Sequence, residues 1–196
     1  MKPLLLASSS PYRRGLLQRL GLPFSYASPD IDETPLPGER AEALAVRLAV
    51  SKAKALASQH PDTLIIGSDQ VAVLPDGTLL NKPGTHEQAT AQLALSSGKS
   101  VRFQTGLALL DTHTGTLTTC CEPFDVFFRE LSPQEIANYL LKEQPYDCAG
   151  SFKMEGLGIA LFSRLEGRDP NSLIGLPLIA LVDMLRTLNI NPLLTP

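Results

Sequence analysis

The chain has no tryptophan, three histidines and three cysteines in 196 residues. Cys120, Cys121 and Cys148 are an odd number, and two of them are adjacent, so a disulfide framework is excluded. With no targeting segment this fits a reducing, cytoplasmic location. No C-x-x-C pair and no cluster of histidines is present, which excludes a zinc site of the usual spacing. No apolar run reaches the roughly 18–20 residues that a membrane span needs. One lysine precedes the short apolar run Leu4-Leu5-Leu6-Ala7, too little for a signal peptide. Positive charge is not in excess: 17 Lys and Arg face 20 Asp and Glu, a formal net charge of -3. That balance gives no nucleic-acid footprint. Repeats, low-complexity stretches, a G-x-G-x-x-G turn and a Walker A loop are all missing, so the nucleotide folds those motifs mark are not indicated.

What is present is a chain that is 43% hydrophobic and 19% charged. It is long enough for one domain over residues 1–196, built as one or two lobes. The most informative stretch is Leu4 to Arg14. Leu4–Ala7 is continuously apolar, as in a strand buried on both faces. Ser10 is an N-cap and Pro11 suits the first helical position. Arg13 and Arg14 then fall in the first turn, where the helix dipole disfavours cations. Two guanidiniums beside free helix N–H groups and the hydroxyls of Ser8, Ser9 and Ser10 either collect an anion, phosphate above all, or simply point to water.

The first helix is expected from Pro11 to Leu20, with Leu16, Leu17 and Leu20 inward and Gly21 at its end. Pro23 to Ser28 reads as a short strand. The proline-bracketed loop that follows holds Asp30, Asp32 and Glu33, as a solvated turn or a contact for metal or substrate. Glu39 to Ser58 reads as a helix with Leu44, Leu48 and Ala55 on one face. Lys52 and Lys54 lie in its C-terminal half, where the dipole favours cations in any case. Thr63 to Gly67 reads as a buried strand that stops at Ser68-Asp69-Gln70. Ligands of α/β sheets sit beyond the carboxyl ends of strands, so Asp69 is a metal ligand, a general base or a turn cap.

Val71 to Leu80 reads as a hairpin turning at Pro75-Asp76-Gly77, and Asn81-Lys82-Pro83-Gly84 returns a cation to a loop. Capping boxes at Thr85 with Gln88 and at Ser132 with Glu135 open two further helices. Two long strands are expected over Val101–Leu110 and Thr116–Phe128, with Phe124, Val126 and Phe128 alternating. Gly150 to Gly158 places three glycines around Lys153 and Glu155, a composition suited to close approach of backbone to a ligand. Ile159 to Leu165 is strand-like, 167–172 is turn-rich, and Leu178 to Leu188 is a closing helix with Met184 in the core.

Taken in order, Ser8-x-Ser10-Pro11-x-Arg13-Arg14, Asp32-Glu33-Thr34, Lys52-Ala53-Lys54-Ala55, Gly67-Ser68-Asp69, Lys82-Pro83 and Gly150-Ser151-Phe152 with Glu155-Gly156-x-Gly158 resemble the Maf family of nucleoside triphosphate pyrophosphatases. The resemblance covers the whole chain. It implies an α/β fold like that of inosine triphosphatase, an elongated mixed β-sheet flanked by helices, with two lobes and an active-site cleft. It also implies metal-dependent hydrolysis of a nucleoside triphosphate to monophosphate and diphosphate, and a homodimer, though no apolar stripe in the sequence marks an interface.

Three positions depart from the commonest Maf pattern: Tyr12 where many relatives have Arg, Gln70 where many have Thr, and Glu155 where many have Gln. Together they resemble the subfamily that acts on 7-methyl-GTP rather than on dTTP and UTP. The resemblance implies that Ser8, Ser10, Arg13, Arg14, Lys52 and Lys82 bind phosphate. Glu33 and Asp69 would hold Mg²⁺ or Mn²⁺, with Asp69 as ligand or as the proton acceptor that orients water. Tyr12, Gln70 and Glu155 would select the base. The competing expectations are a broader house-cleaning pyrophosphatase acting on UTP, dTTP or other modified nucleotides, a nucleotide sensor without turnover, and a nucleic-acid-binding regulator of cell division.

Overall fold

The computed structural model describes residues 2–194. Along the chain run β1 (Leu4–Ala7), α1 (Pro11–Gln18), β2 (Ser25–Ala27), α2 (Ala41–Ala55), β3 (Leu64–Val73), β4 (Leu79–Leu80), α3 (His86–Ser96), β5 (Ser100–Asp111), β6 (Leu117–Phe128), α4 (Pro133–Glu143), β7 (Phe162–Gly167), α5 (Pro170–Ile174) and α6 (Leu178–Thr187). The strands form a mixed sheet in the order β2-β1-β3-β5-β6-β7, with β4 paired to β3. β1 is parallel to β2 and β3, whereas β4 on β3 and β7 on β6 are antiparallel. This is the mixed α/β fold, a sheet flanked by helices, that the sequence leads one to expect.

The chain divides into two compact units. The first runs to Asp69, resumes over Thr105–Glu122 and closes from Asp169 onward; the second is Gln70–Gln104 with Pro123–Arg168.

In the first unit, side chains alternate across the sheet as strand geometry requires. Leu4, Leu6, Leu64, Ile66, Leu107 and Leu109 share a cluster with Leu16 and Leu17 of α1 and with Leu181 and Leu185 of α6. Leu5, Ala7, Ile65 and Ala108 share the other with Ala49 and Ala53 of α2. The buried stripe of α2 is Leu44, Ala45, Leu48, Ala49, Lys52 and Ala53, the pattern of an amphipathic helix with one cation in it. Ala55, expected inward, is only half-buried. Gly106 lies against this helix: a Cβ there would stand 2.2 Å from the Ala45 carbonyl oxygen, so α2 rests directly on strand backbone.

The second unit is built on aromatic rings. Phe152 lies edge-on to Phe103, Phe128 and Phe162, with centroids 5.3, 5.9 and 4.8 Å away, the geometry that ring quadrupoles favour. Phe124, Val126 and Phe128 are buried as their alternation predicts. The capping box at Ser132 is complete: its hydroxyl accepts from Glu135 N, and the Glu135 carboxylate accepts from Ser132 N at 2.7 Å.

Three local expectations are corrected. β3 does not stop before Ser68-Asp69-Gln70 but runs through it to Val73, because the polar side chains there find partners from elsewhere in the chain. Leu157–Leu161 forms 3-10 turns, and the strand begins only at Phe162. Pro170–Ile174 is a short helix rather than a loop, capped by Asp169, whose side chain accepts from Asn171 N. Met184 is buried in the core, as expected.

Candidate active site

The start of α1 is organised by its hydroxyls. Ser10 caps the helix, its Oγ accepting from Arg13 N at 3.3 Å, and the buried Ser8 accepts from Ser10 N at 3.2 Å. The two arginines then part company. Arg13 Nε donates to the Gly175 carbonyl at 2.7 Å, and Ser68 Oγ reaches the same carbonyl at 3.0 Å. Burial pushes the Arg13 guanidinium below its ordinary value, while the charges of Asp69 and Glu33 pull it back up; a guanidinium stays charged under these conditions. Arg14 stacks on Tyr26, 4.4 Å from the ring centroid, as a cation–π pair. Its Nε is buried and finds no hydrogen-bond partner among the described residues. Tyr12 is half-buried on α1.

Asp69, an odd-numbered residue of β3, faces α2 together with Ile65; Ser68 faces the opposite side of the sheet. Asp69 there meets the lysine of the α2 stripe. Lys52 Nζ donates to Asp69 Oδ1 at 2.6 Å and lies 2.7 Å from Glu33 Oε1. The Lys52 and Asp69 side chains are 9% and 11% exposed, against 55% for Glu33. The first two are thus a buried ion pair, which only pairing makes tolerable, and Glu33 closes it from the solvent side. The dipole argument for Lys52, that it merely suits the end of a helix, does not account for this burial.

The loop carrying Glu33 is held to α2 by Arg47. Its guanidinium donates to both carboxylate oxygens of Glu39, at 2.6 and 2.8 Å, and to the Thr34 carbonyl at 3.0 Å. Asp32 accepts from Thr34 N at 2.9 Å, and hydrogen bonding to the Thr34 side chain first, then to its backbone, holds the Asp32 carboxyl below the ordinary range.

In the second unit, Gln70 is half-buried in β3 and Lys82 is exposed on its loop. Glu155 is exposed in the glycine-rich segment. Of the residues singled out from the sequence, the structure joins Glu33, Lys52 and Asp69 in direct contact, with Arg13 within electrostatic reach of the two carboxylates. Among the described residues no group of three or more His, Cys, Asp or Glu gathers as a metal-binding set. Sequence reasoning quoted Ser68 within the Gly67-Ser68-Asp69 motif without giving it a role, and did not single out the supports Gly175 and Arg47. On α2 the expected face holds at Leu44 and Leu48, but it took Ala55 and left out Lys52. Reading positions 44, 45, 48, 49, 52 and 53 together would have put Lys52 on the apolar face.

The sequence profile of the family described as "Maf-like protein" matches residues 3–188. The chain belongs to the Maf-like family. A relative of this Maf-like chain from Nitrosococcus oceani, named "7-methyl-GTP pyrophosphatase", is 58% identical over 182 residues, which is 93% of this chain and 91% of the relative. Among solved structures, the Ham1 protein of Staphylococcus aureus matches with a TM-score of 0.49 and 13% identity, over 66% of this chain and 73% of that one. A HAM1 protein from Coxiella burnetii matches with a TM-score of 0.46 and 16% identity, over 82% of this chain and 98% of its own. No helix among the described residues is long and apolar enough to cross a membrane.

Proposed function

We propose that this Maf-like chain is a nucleoside triphosphate pyrophosphatase that hydrolyses 7-methyl-GTP to 7-methyl-GMP and diphosphate in the cytoplasm. The observation that carries the proposal is the buried Lys52–Asp69 pair closed by Glu33. It is supported by the name of the 58% identical relative, a 7-methyl-GTP pyrophosphatase.

A triphosphate is a polyanion, and bringing it out of water requires cations and oriented N–H donors. Arg13, Arg14, Lys52 and Lys82 provide the charge. Ser8, Ser10 and the start of α1 provide donors. A water oxygen attacks the α-phosphorus, the bond from that phosphorus to the bridging oxygen breaks, and diphosphate leaves with the electron pair. The proton of the water passes to Asp69. Lys52 donates to Oδ1 of that residue. Lys52 keeps the carboxylate in one orientation through the reaction.

A divalent cation fits the donor set. Glu33 and Asp69 are hard carboxylates that already converge on one cation, the Lys52 ammonium. Mg²⁺ commonly takes one or two carboxylates and completes its shell with water and phosphate. When bound, the ion supplies charge stabilisation at the phosphate oxygens.

N7 methylation makes the guanine cationic. Tyr12 stacks on that ring, a contact worth about 1–3 kcal/mol. Glu155 accepts from guanine N1–H and the exocyclic amine, and its charge favours the cationic base. Gln70 completes the recognition.

The test is diphosphate release from 7-methyl-GTP, GTP, UTP, dTTP and CTP, with and without Mg²⁺ or Mn²⁺. Metal-dependent release with 7-methyl-GTP about tenfold ahead in kcat/KM, roughly 1.4 kcal/mol of discrimination, is the expected outcome. A lead by UTP or dTTP would overturn the base assignment and keep the reaction. No release from any of them would overturn both.

A further inference from the structure

The segment carrying Glu155 is fastened to α4 on both sides of that residue. Before it, Lys153 N donates to the Tyr139 hydroxyl oxygen at 3.0 Å, and Lys153 Nζ donates to the Glu143 carbonyl at 3.2 Å. After it, Leu157 N donates to Glu143 Oε1 at 2.8 Å. The Glu143 carboxylate fills the place where Gly156 has no side chain: a Cβ there would lie 2.7 Å from each of its oxygens. Between the two anchors the segment closes on itself, with Gly156 N and Gly158 N both donating to the Lys153 carbonyl, at 3.3 and 3.1 Å.

Glu143 is an odd residue to find here. It ends α4, which stops at Gln144 in the left-handed conformation, and the C-terminus of a helix disfavours a carboxylate. A local rule broken in this way points to a role outside the helix. A carboxylate that accepts from a backbone N–H makes a bond roughly twice as strong as a neutral pair, so the Gly156–Leu157 peptide is held firmly. The other anchor is equally settled. Burial pushes the Tyr139 hydroxyl well above its ordinary value, with the charges of Glu143, Cys148 and Glu155 adding to the shift, so the phenol stays neutral. The Glu155 charge is therefore within electrostatic reach of Tyr139, one of the two residues that anchor its segment.

We propose that Glu143 is a positioning residue for base selection: its carboxylate pins the Gly156–Leu157 peptide and so presents the Glu155 carboxylate to the base at one place. This rests on the base-selecting role given to Glu155 above. Pre-organisation of this kind removes an ordering cost that substrate binding would otherwise bear. The phosphate chemistry uses other residues, so the effect falls on recognition of the base.

The experiment measures kcat and KM for 7-methyl-GTP and UTP in the full chain and four variants: Glu143→Ala, Glu143→Gln, Glu155→Gln and Glu143→Ala with Glu155→Gln. Glu143→Ala is expected to lower the 7-methyl-GTP to UTP ratio of kcat/KM by about tenfold, through KM. Glu143→Gln, whose amide oxygen still accepts from Leu157 N, is expected to recover most of the ratio. Adding Glu155→Gln to Glu143→Ala is expected to lower it no further. If Glu155→Gln lowers the ratio and Glu143→Ala does not, the inference is overturned and the role of Glu155 stands. If Glu155→Gln leaves the ratio unchanged, the role of Glu155 falls and the inference with it. Equal losses of kcat on both substrates would also overturn it, since they mark a merely structural role. Should Glu143→Ala fail to fold, Glu143→Asp decides: it keeps the charge and draws the carboxylate back from Leu157 N. A lowered ratio then supports the inference, and the wild-type ratio overturns it.

Discussion

A Cβ at Gly67 would stand 2.0 Å from the carbonyl oxygen of Ala49. Gly67 precedes Asp69 by one strand repeat, and Ala49 precedes Lys52 by about one helical turn. The absence of a side chain at Gly67 therefore sets how near the Lys52 ammonium comes to the Asp69 carboxylate. Gly67→Ala should cost about 1–3 kcal/mol, the usual penalty for overpacking, and should lower kcat/KM by forcing α2 off β3. Urea unfolding and steady-state kinetics on the same preparation check both effects. Wild-type stability in this variant would show that α2 does not depend on the glycine for its seat.

Asp69→Asn should keep the fold and lose about 10²–10³ in kcat, as loss of one well-placed electrostatic group commonly does. Far-ultraviolet circular dichroism beside the kinetics separates the two. Turnover near wild type would remove Asp69 from the chemistry.

Lys52→Met should behave differently, because it leaves a buried carboxylate without its cation. Breaking such a pair costs about 3–5 kcal/mol. Combining it with Asp69→Asn should return much of that stability without restoring turnover. Chemical denaturation of the single and double variants measures the recovery.

The Arg47 fork, with help from Leu36 N, holds the Glu39 carboxyl at about 2 against an ordinary 4.5. A carboxyl lowered by folding stabilises the protein above its unfolded value, and that contribution is lost as the pH falls through the folded value. Stability should therefore decline between about pH 4.5 and pH 2. Glu39→Gln should be less stable than wild type at neutral pH, flatter across that window, and equal to wild type at its acid end. Equilibrium unfolding over a pH series tests this, and parallel curves would rule the pair out as a contributor.

Cys121 offers a check on burial in β6. Burial pushes its thiol up to about 12, with the charges of Glu42, Cys120 and Glu122 adding to the shift. The thiolate is the reactive form. At about pH 8, close to the ordinary thiol value, Cys121 should alkylate far more slowly in the folded protein than in urea. Peptide mass spectrometry after timed exposure to iodoacetamide reads this directly.

What was legible in the sequence was what neighbours along the chain decide. The apolar run at Leu4–Ala7 is fully buried, Ser10 caps α1, the box at Ser132 closes, and Phe124, Val126 and Phe128 alternate into the core. What was not legible depended on remote partners. Ser68 and Asp69 read as the end of a strand because polar residues in a buried strand need acceptors and cations that sequence neighbours do not supply. Those arrive from Gly106, Gly175 and Lys52. Lys52 itself was assigned to the chemistry by resemblance, and its place on the apolar face of α2 was missed. The supports of the acidic loop and of the glycine-rich segment, Arg47 and Glu143, belong to no motif and are visible only in three dimensions.

The bond from Arg13 to the Gly175 carbonyl joins residues 162 positions apart. During synthesis the arginine leaves the ribosome well ahead of its acceptor and waits for it while the 162 positions between them are made. Contacts this distant in sequence are closed late and slowly. A nascent chain therefore carries a cationic helix start well before it can aim it, and a product truncated before Gly175 would keep the charge while losing the carbonyl that orients it.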